Sequence, residues 1–151
     1  MKREIPKFKI KTFQSKKSKY CLIIPVLNEG ERLNSLLKII NARKYFNLID
    51  IVIVDGGSDN INFDFFQTMS IMTCISHLNK KGLSCQLRAA YSYAMDLKYE
   101  GVITIDGNNK DDPNSLLGFI DFLDKGFDLV QGSRFIKNGK SINLPLIRYI
   151  A

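Results

Sequence analysis

Ile49-Asp50-Ile51-Val52-Ile53-Val54-Asp55-Gly56-Gly57-Ser58-Asp59 is the stretch on which the fold turns. Ile49 to Val54 is a strand-length run that is apolar apart from Asp50, and the five residues behind it are turn formers. A strand with so little polar alternation is buried on both faces, as parallel strands covered by helices are. Working outward, similar runs occupy Tyr20 to Pro25, the region of Ile71 to Ile75, Gly101 to Ile105 and the region of Phe127 to Val130. Segments of helical period lie between them. Leu33, Leu36, Leu37 and Ile40 make one apolar stripe; Leu87, Ala90, Tyr91 and Ala94 make another; Leu116, Leu117, Ile120 and Leu123 make a third, with Asn114 as the expected cap after Pro113. Asn60 to Ser70 has no clean period and is expected to form a short irregular helix on the sheet edge. The alternation predicts an α/β fold, an α/β/α sandwich around a mostly parallel sheet.

At 151 residues and 45% hydrophobic content the chain is expected to form one globular domain. Its formal charge of +7 suggests a nucleic-acid partner until the charge is located. Residues 1 to 20 carry Lys2, Arg3, Lys7, Lys9, Lys11, Lys16, Lys17 and Lys19 against the single acid Glu4, so the body from Cys21 onward is neutral. No phosphate-backbone footprint remains there, and a nucleic-acid-binding body is not expected. Residues 1 to 19 read as a flexible basic tail, either a solvated arm or an anchor to an anionic membrane surface, and residues 20 to 151 as the folded domain. The apolar stretch after the tail is short and contains Pro25, unlike a signal peptide. No run of eighteen apolar residues occurs. Cys21, Cys74 and Cys85 lack metal-ligand spacing, which fits a reduced, cytoplasmic setting.

In open sheets of this class ligands bind beyond the carboxyl ends of the strands. Three of those ends carry carboxylates: Pro25-Val26-Leu27-Asn28-Glu29, Asp55-Gly56-Gly57-Ser58-Asp59, and Asp106-Gly107-Asn108-Asn109-Lys110-Asp111-Asp112. A carboxylate there accepts bonds from ribose hydroxyls or a base N–H, and adjacent glycines permit close approach. The same residue types also build plain strand-to-helix turns and caps. The third cluster has the oxygen donors a hard divalent cation prefers, and such an ion can neutralise a departing diphosphate; a solvated turn rich in Asp and Asn has the same composition.

Taken together, Ile24 to Glu29, Val54 to Asp59, Asp106-Gly107-Asn108, Gly132-Ser133-Arg134-Phe135 and Leu144 to Arg148 resemble the motifs of the family-2 glycosyltransferases with the GT-A fold, in particular the dolichyl- and polyprenyl-phosphate mannose or glucose synthase branch. The resemblance implies a UDP- or GDP-sugar donor, Mg²⁺ or Mn²⁺, and a polyprenyl-phosphate or other glycan acceptor. By the same resemblance Pro25, Asn28, Glu29, Asp55 and Gly57 line the base and ribose site. Asp106 and Asn108 hold the metal and sugar diphosphate, Lys110 lies beside the phosphates, and Arg134 and Arg148 approach a donor or acceptor phosphate. Asp106 and Arg134 are the residues expected to act on the reacting groups. Gly56, Asn108 and Lys110 depart from the family pattern, which has Asp, Asp and often Gln at those places. Members also continue well past the residue matching Arg148, so a C-terminal acceptor part is expected to be missing. A non-catalytic nucleotide-sugar-binding domain acting with another chain is the alternative; nucleotidyltransferase chemistry lacks the Gly-rich start it needs on the first strand.

Overall fold

The computed structural model describes residues 4 to 79 and 82 to 133. They fall into two compact units divided after Leu117. The first holds a five-stranded sheet built from β1 (Phe8–Thr12), β2 (Tyr20–Val26), β3 (Asp50–Asp55), β4 (Thr73–His77) and β5 (Gly101–Thr104), in the order β1-β4-β3-β2-β5. β2, β3, β4 and β5 run parallel, while β1 pairs antiparallel with β4 from Phe8 opposite His77 to Thr12 opposite Thr73. The α/β reading therefore holds, and the sheet is mostly parallel as expected, with β1 its one antiparallel strand among the described residues.

α1 (Glu31–Ala42) connects β2 to β3, α2 (Phe63–Thr68) connects β3 to β4, and α3 (Leu83–Asp96) connects β4 to β5. The first two connections step one way along the sheet and the third steps back past β2. Right-handed crossovers then place α1 and α2 on one face and α3 on the other. Side-chain parity agrees. Cys21, Ile23, Val52, Val54 and Ile75 share a core with Ala89, Ala90 and Ala94 of α3. Leu22, Ile24, Ile51 and Ile53, also fully buried, point to the opposite face, where Leu33, Leu36, Leu37 and Ile40 of α1 form the expected buried stripe.

Several expectations need correction. The basic stretch 1 to 19 is not a flexible arm throughout, because Phe8–Thr12 is β1 and Phe8 packs on the α3-side core. The chain after β1 is also tied down: buried Asp50 accepts from the amides of Lys17 (3.0 Å) and Ser18 (3.2 Å) and from the Tyr99 hydroxyl (2.7 Å). Burial and that bond to Asp50 push the Tyr99 hydroxyl's pKa up. The buried face of α3 is Gln86, Ala89, Ala90, Ser92 and Ala94, and Tyr91 of the expected stripe is exposed. Small residues there let the helix lie close on β2 and β3. Asn114 is not a cap; Asp112 caps the 3-10 turn Pro113–Ser115 by accepting from the Asn114 amide.

α4 (Leu116–Asp124) continues into the second unit. Residues 127 to 130 form no strand. Gly126, at φ 82°, ends α4 in a Schellman turn: its amide donates to Leu123 O, the Phe127 amide donates to Phe122 O, and the Phe127 and Phe122 rings meet edge to face at 5.4 Å. Phe127 is thus used to close the helix. The cysteines are free, and burial pushes the thiols of Cys21 and Cys74 up to about 12 and about 11, leaving both unreactive at neutral pH.

Candidate nucleotide site at the strand ends

The carboxyl ends of β2, β3 and β5 converge, and their loops are bonded to one another. After β2, Asn28 takes a left-handed backbone (φ 55°), which Asn tolerates. Its amide N–H donates to Ser58 Oγ at 2.8 Å; its side chain donates to Asp59 Oδ2 and accepts from the Asp59 amide, both at 3.0 Å. The two loops therefore form one unit. Asp55 is buried, and its carboxylate accepts from the amides of Gly57 (3.0 Å) and Ser58 (2.9 Å). It holds the turn in shape, with one further lone pair on each oxygen.

Glu29 differs from Asp55. Its Oε2 is shielded from solvent with no hydrogen bond, 3.4 Å from the Nε of Arg32. Glu29 lines a cleft of about 120 Å³ together with Val26, Asn28, Leu33, Ser58 and Phe66. A larger hollow, about 410 Å³, lies at the amino ends of the strands among Lys17, Ser18 and Phe46. It is the smaller cleft that adjoins the carboxylates. Pro25, buried at the end of β2, forms the floor of the loop.

The turn after β5 is fastened to this unit through Gly107, whose amide donates to Pro25 O at 3.3 Å. A Cβ at Gly107 would lie 2.7 Å from Val26 Cγ1 and 3.0 Å from Pro25 O, so only glycine permits this approach. Asp106 and Asn108 flank it. Asn108 Nδ2 lies 3.4 Å from Asp106 Oδ2, and Asn108 Oδ1 accepts from the Lys110 amide at 3.0 Å. Asp106 is exposed and offers carboxylate oxygens, with the Asn108 amide oxygen on the same turn. Among the described residues no three acidic, His or Cys side chains cluster as a metal cage. Asn108 turns its amide nitrogen toward Asp106 and its oxygen toward the Lys110 amide, so it would have to turn over to offer a cation an oxygen beside the Asp106 carboxylate, the kind of donor Mg²⁺ prefers.

Pro25, Asn28, Glu29, Asp55, Gly57, Asp106 and Asn108 are thus brought to one edge, and Lys110 is exposed beside them. Arg134 and Arg148 lie outside the described residues. The sequence reading missed Gln86, whose side chain donates to Val26 O and Val54 O from beneath the loops. Its signal was a glutamine three and four residues before Ala89 and Ala90, on the helix's inward face.

An open, chiefly parallel sheet with its carboxylates beyond the strand ends is the framework of a nucleotide-binding α/β domain. Residues 21 to 148 match the model of glycosyl transferase family 2, and the chain belongs to that family. A dolichol-phosphate mannosyltransferase of Pyrococcus furiosus is 30% identical over 134 residues, covering 86% of this chain and 37% of its own length. A polyprenol monophosphomannose synthase of Mycolicibacterium smegmatis is 24% identical over 134 residues, with 85% and 50% covered. An uncharacterized protein of Methanocaldococcus jannaschii is 26% identical over 135 residues, with 89% and 54% covered. The chain therefore spans about half the length, or less, of these curated relatives.

Proposed function

We propose that this chain binds a nucleoside diphosphate sugar, UDP- or GDP-linked, and serves the transfer of its hexose to a polyprenyl phosphate or another glycan acceptor. The observation that carries this reading is the Glu29 side chain, which lines the cleft beside the Asp55 turn and close to Gly107 of the Asp106 turn, its Oε2 ion-paired with Arg32 but accepting no hydrogen bond. Glu29 accepts from a ribose hydroxyl or base N–H, with Asn28 lining the same cleft and Pro25 and Gly57 in the strand end and turn beside it. Asp106, with Asn108, would hold a divalent cation, which when bound would neutralise charge on the leaving diphosphate. In the transfer an acceptor oxygen attacks the anomeric carbon from the face opposite the diphosphate, the C1–O bond breaks, and the configuration inverts. A phosphate acceptor is already anionic and needs no general base. Lys110, and by family resemblance Arg134 and Arg148, neutralise donor or acceptor phosphates.

The second reading is a non-catalytic nucleotide-sugar-binding module that acts as the partner of another chain. Calorimetric titration of UDP, GDP and their hexose conjugates, with and without Mg²⁺ or Mn²⁺, tests both. One nucleotide is expected to bind in a metal-dependent way, with affinity at least tenfold weaker in Asp106→Ala, a loss of about 1.4 kcal/mol. Binding without turnover supports the module; no binding of any nucleotide overturns both readings.

The basic N-terminal stretch is proposed to rest on an anionic membrane surface at the cytoplasmic face, near a lipid acceptor. No helix among the described residues is long and apolar enough to cross a membrane. Lys7 and Lys9 are exposed at the end of β1 nearest the site. Replacing both with glutamine is expected to weaken binding to phosphatidylserine vesicles about thirtyfold, at roughly 1 kcal/mol per lysine. Unchanged cosedimentation would remove the membrane from the proposal.

A further inference from the structure

The β2 and β3 ladder ends at Val26 opposite Asp55, and beyond it the Glu29 loop and the Asp55 turn must keep their spacing without strand pairing. Three bonds join those loops from above, all made by Asn28 at the solvent-exposed surface. One side chain holds them from below. Gln86, in the first turn of α3 and 3% exposed, donates through Nε2 to Val26 O at 2.6 Å and to Val54 O at 2.9 Å. Both protons of its amide are used, one on the end of each strand. Val26 O also accepts from the Gly56 amide at 2.9 Å, so the start of the Asp55 turn is bound into the same junction.

We propose that Gln86 is a positioning residue for the nucleotide site, fixing the spacing between the loop that presents Glu29 and the turn that Asp55 holds. The inference rests on the nucleotide reading above for its functional consequence, though not for the clamp itself. Burying a primary amide is costly unless its protons are bonded, and the neighbouring inward positions of α3, Ala89, Ala90 and Ala94, are filled by small apolar side chains at no such cost. An apolar residue of similar volume would fill the space at Gln86 equally well. What the amide adds is two directed bonds in a low-dielectric junction, where their loss is felt more than that of the exposed Asn28 bonds, which water replaces.

The test uses Gln86→Met and Gln86→Glu. Hydrogen exchange in the ligand-free protein reports the junction, and the dissociation constant of the nucleotide reports its consequence. In Gln86→Met the Gly57, Ser58 and Asp59 amides are expected to exchange about tenfold faster, and the nucleotide to bind about tenfold more weakly, at roughly one hydrogen bond's worth of free energy. The strand interiors keep their wild-type protection, and the melting temperature falls by only the few degrees that about one lost hydrogen bond costs. Gln86→Glu turns a carboxylate on two carbonyl oxygens; protonated, it donates to one of them. The ratio of its turn exchange rate to that of wild type at the same pH is therefore expected to fall toward one as pH drops from 8 to 5, a pH dependence of the ratio that a space-filling role would not produce. Unchanged turn exchange in Gln86→Met, or a pH-independent ratio in Gln86→Glu if the methionine variant does not fold, overturns the clamp. A wild-type protein that binds no nucleotide but shows these exchange changes retains the clamp and refutes the nucleotide reading instead.

Discussion

Gly107→Ala is expected to destabilise the protein by about 2 kcal/mol, in the range typical of overpacking a filled interior, and to weaken metal-dependent nucleotide binding beyond what that loss predicts. The added methyl would meet Val26 Cγ1 at 2.7 Å and Pro25 O at 3.0 Å, with Glu29 Cγ at 3.6 Å. The valine methyl can rotate away, but the Pro25 carbonyl belongs to the buried end of β2 and cannot. Relief must come from the β5 side, by moving the turn that carries Asp106 and Asn108 away from the Glu29 loop. A displacement of about 1 Å at a binding constellation can cost on the order of 100-fold in activity. Urea denaturation measures the stability loss and calorimetry the affinity. The double variant Gly107→Ala with Val26→Ala separates the two clashes: stability should recover in part and nucleotide affinity should not, because the carbonyl contact remains. A single variant with wild-type midpoint and affinity would show that the turn has slack.

Asp50→Ala is expected to cost about 3 kcal/mol, because its carboxylate satisfies three donors in a part-buried place. The Lys17 and Ser18 amides and the Tyr99 hydroxyl lose their acceptor together, and the segment joining β1 to β2 loses its fastening. The conservative Asp50→Asn keeps one acceptor oxygen and should cost about 1 kcal/mol. Denaturant midpoints give the energies. Hydrogen exchange at residues 14 to 19 should rise in Asp50→Ala before the core strands open, and equal protection in mutant and wild type would mean that the segment is held by something other than Asp50.

Much of the fold is visible in the apolar runs. β2 and β3 are buried on both faces, and such strands announce themselves as unbroken hydrophobic stretches. The helix of Leu33, Leu36, Leu37 and Ile40 was equally legible because one face is apolar and the rest polar. β1 was not. Lys9 and Lys11 are exposed, so its sequence resembles a solvated basic arm, and only its pairing with β4, far along the chain, makes it a strand. Phe127 misled for the opposite reason: its apolar side chain is spent on the end of α4. At the site, the carboxylates could be named from their places after apolar runs. Asp55's bonds to its own turn, Gln86's reach to two carbonyls and the tight seat of Gly107 depend on distances between segments, which spacing along the chain does not carry.

The antiparallel pairing of Phe8 with His77 also sets an order of events during synthesis. A ribosome delivers β1 before the other four strands, yet its only strand neighbour among the described residues is β4, made after the intervening two strands and two helices. Until His77 has emerged, the basic stretch has nowhere to dock. Its lysines keep it hydrated through that interval, and a strand without them would present an unpaired edge to every neighbouring nascent chain.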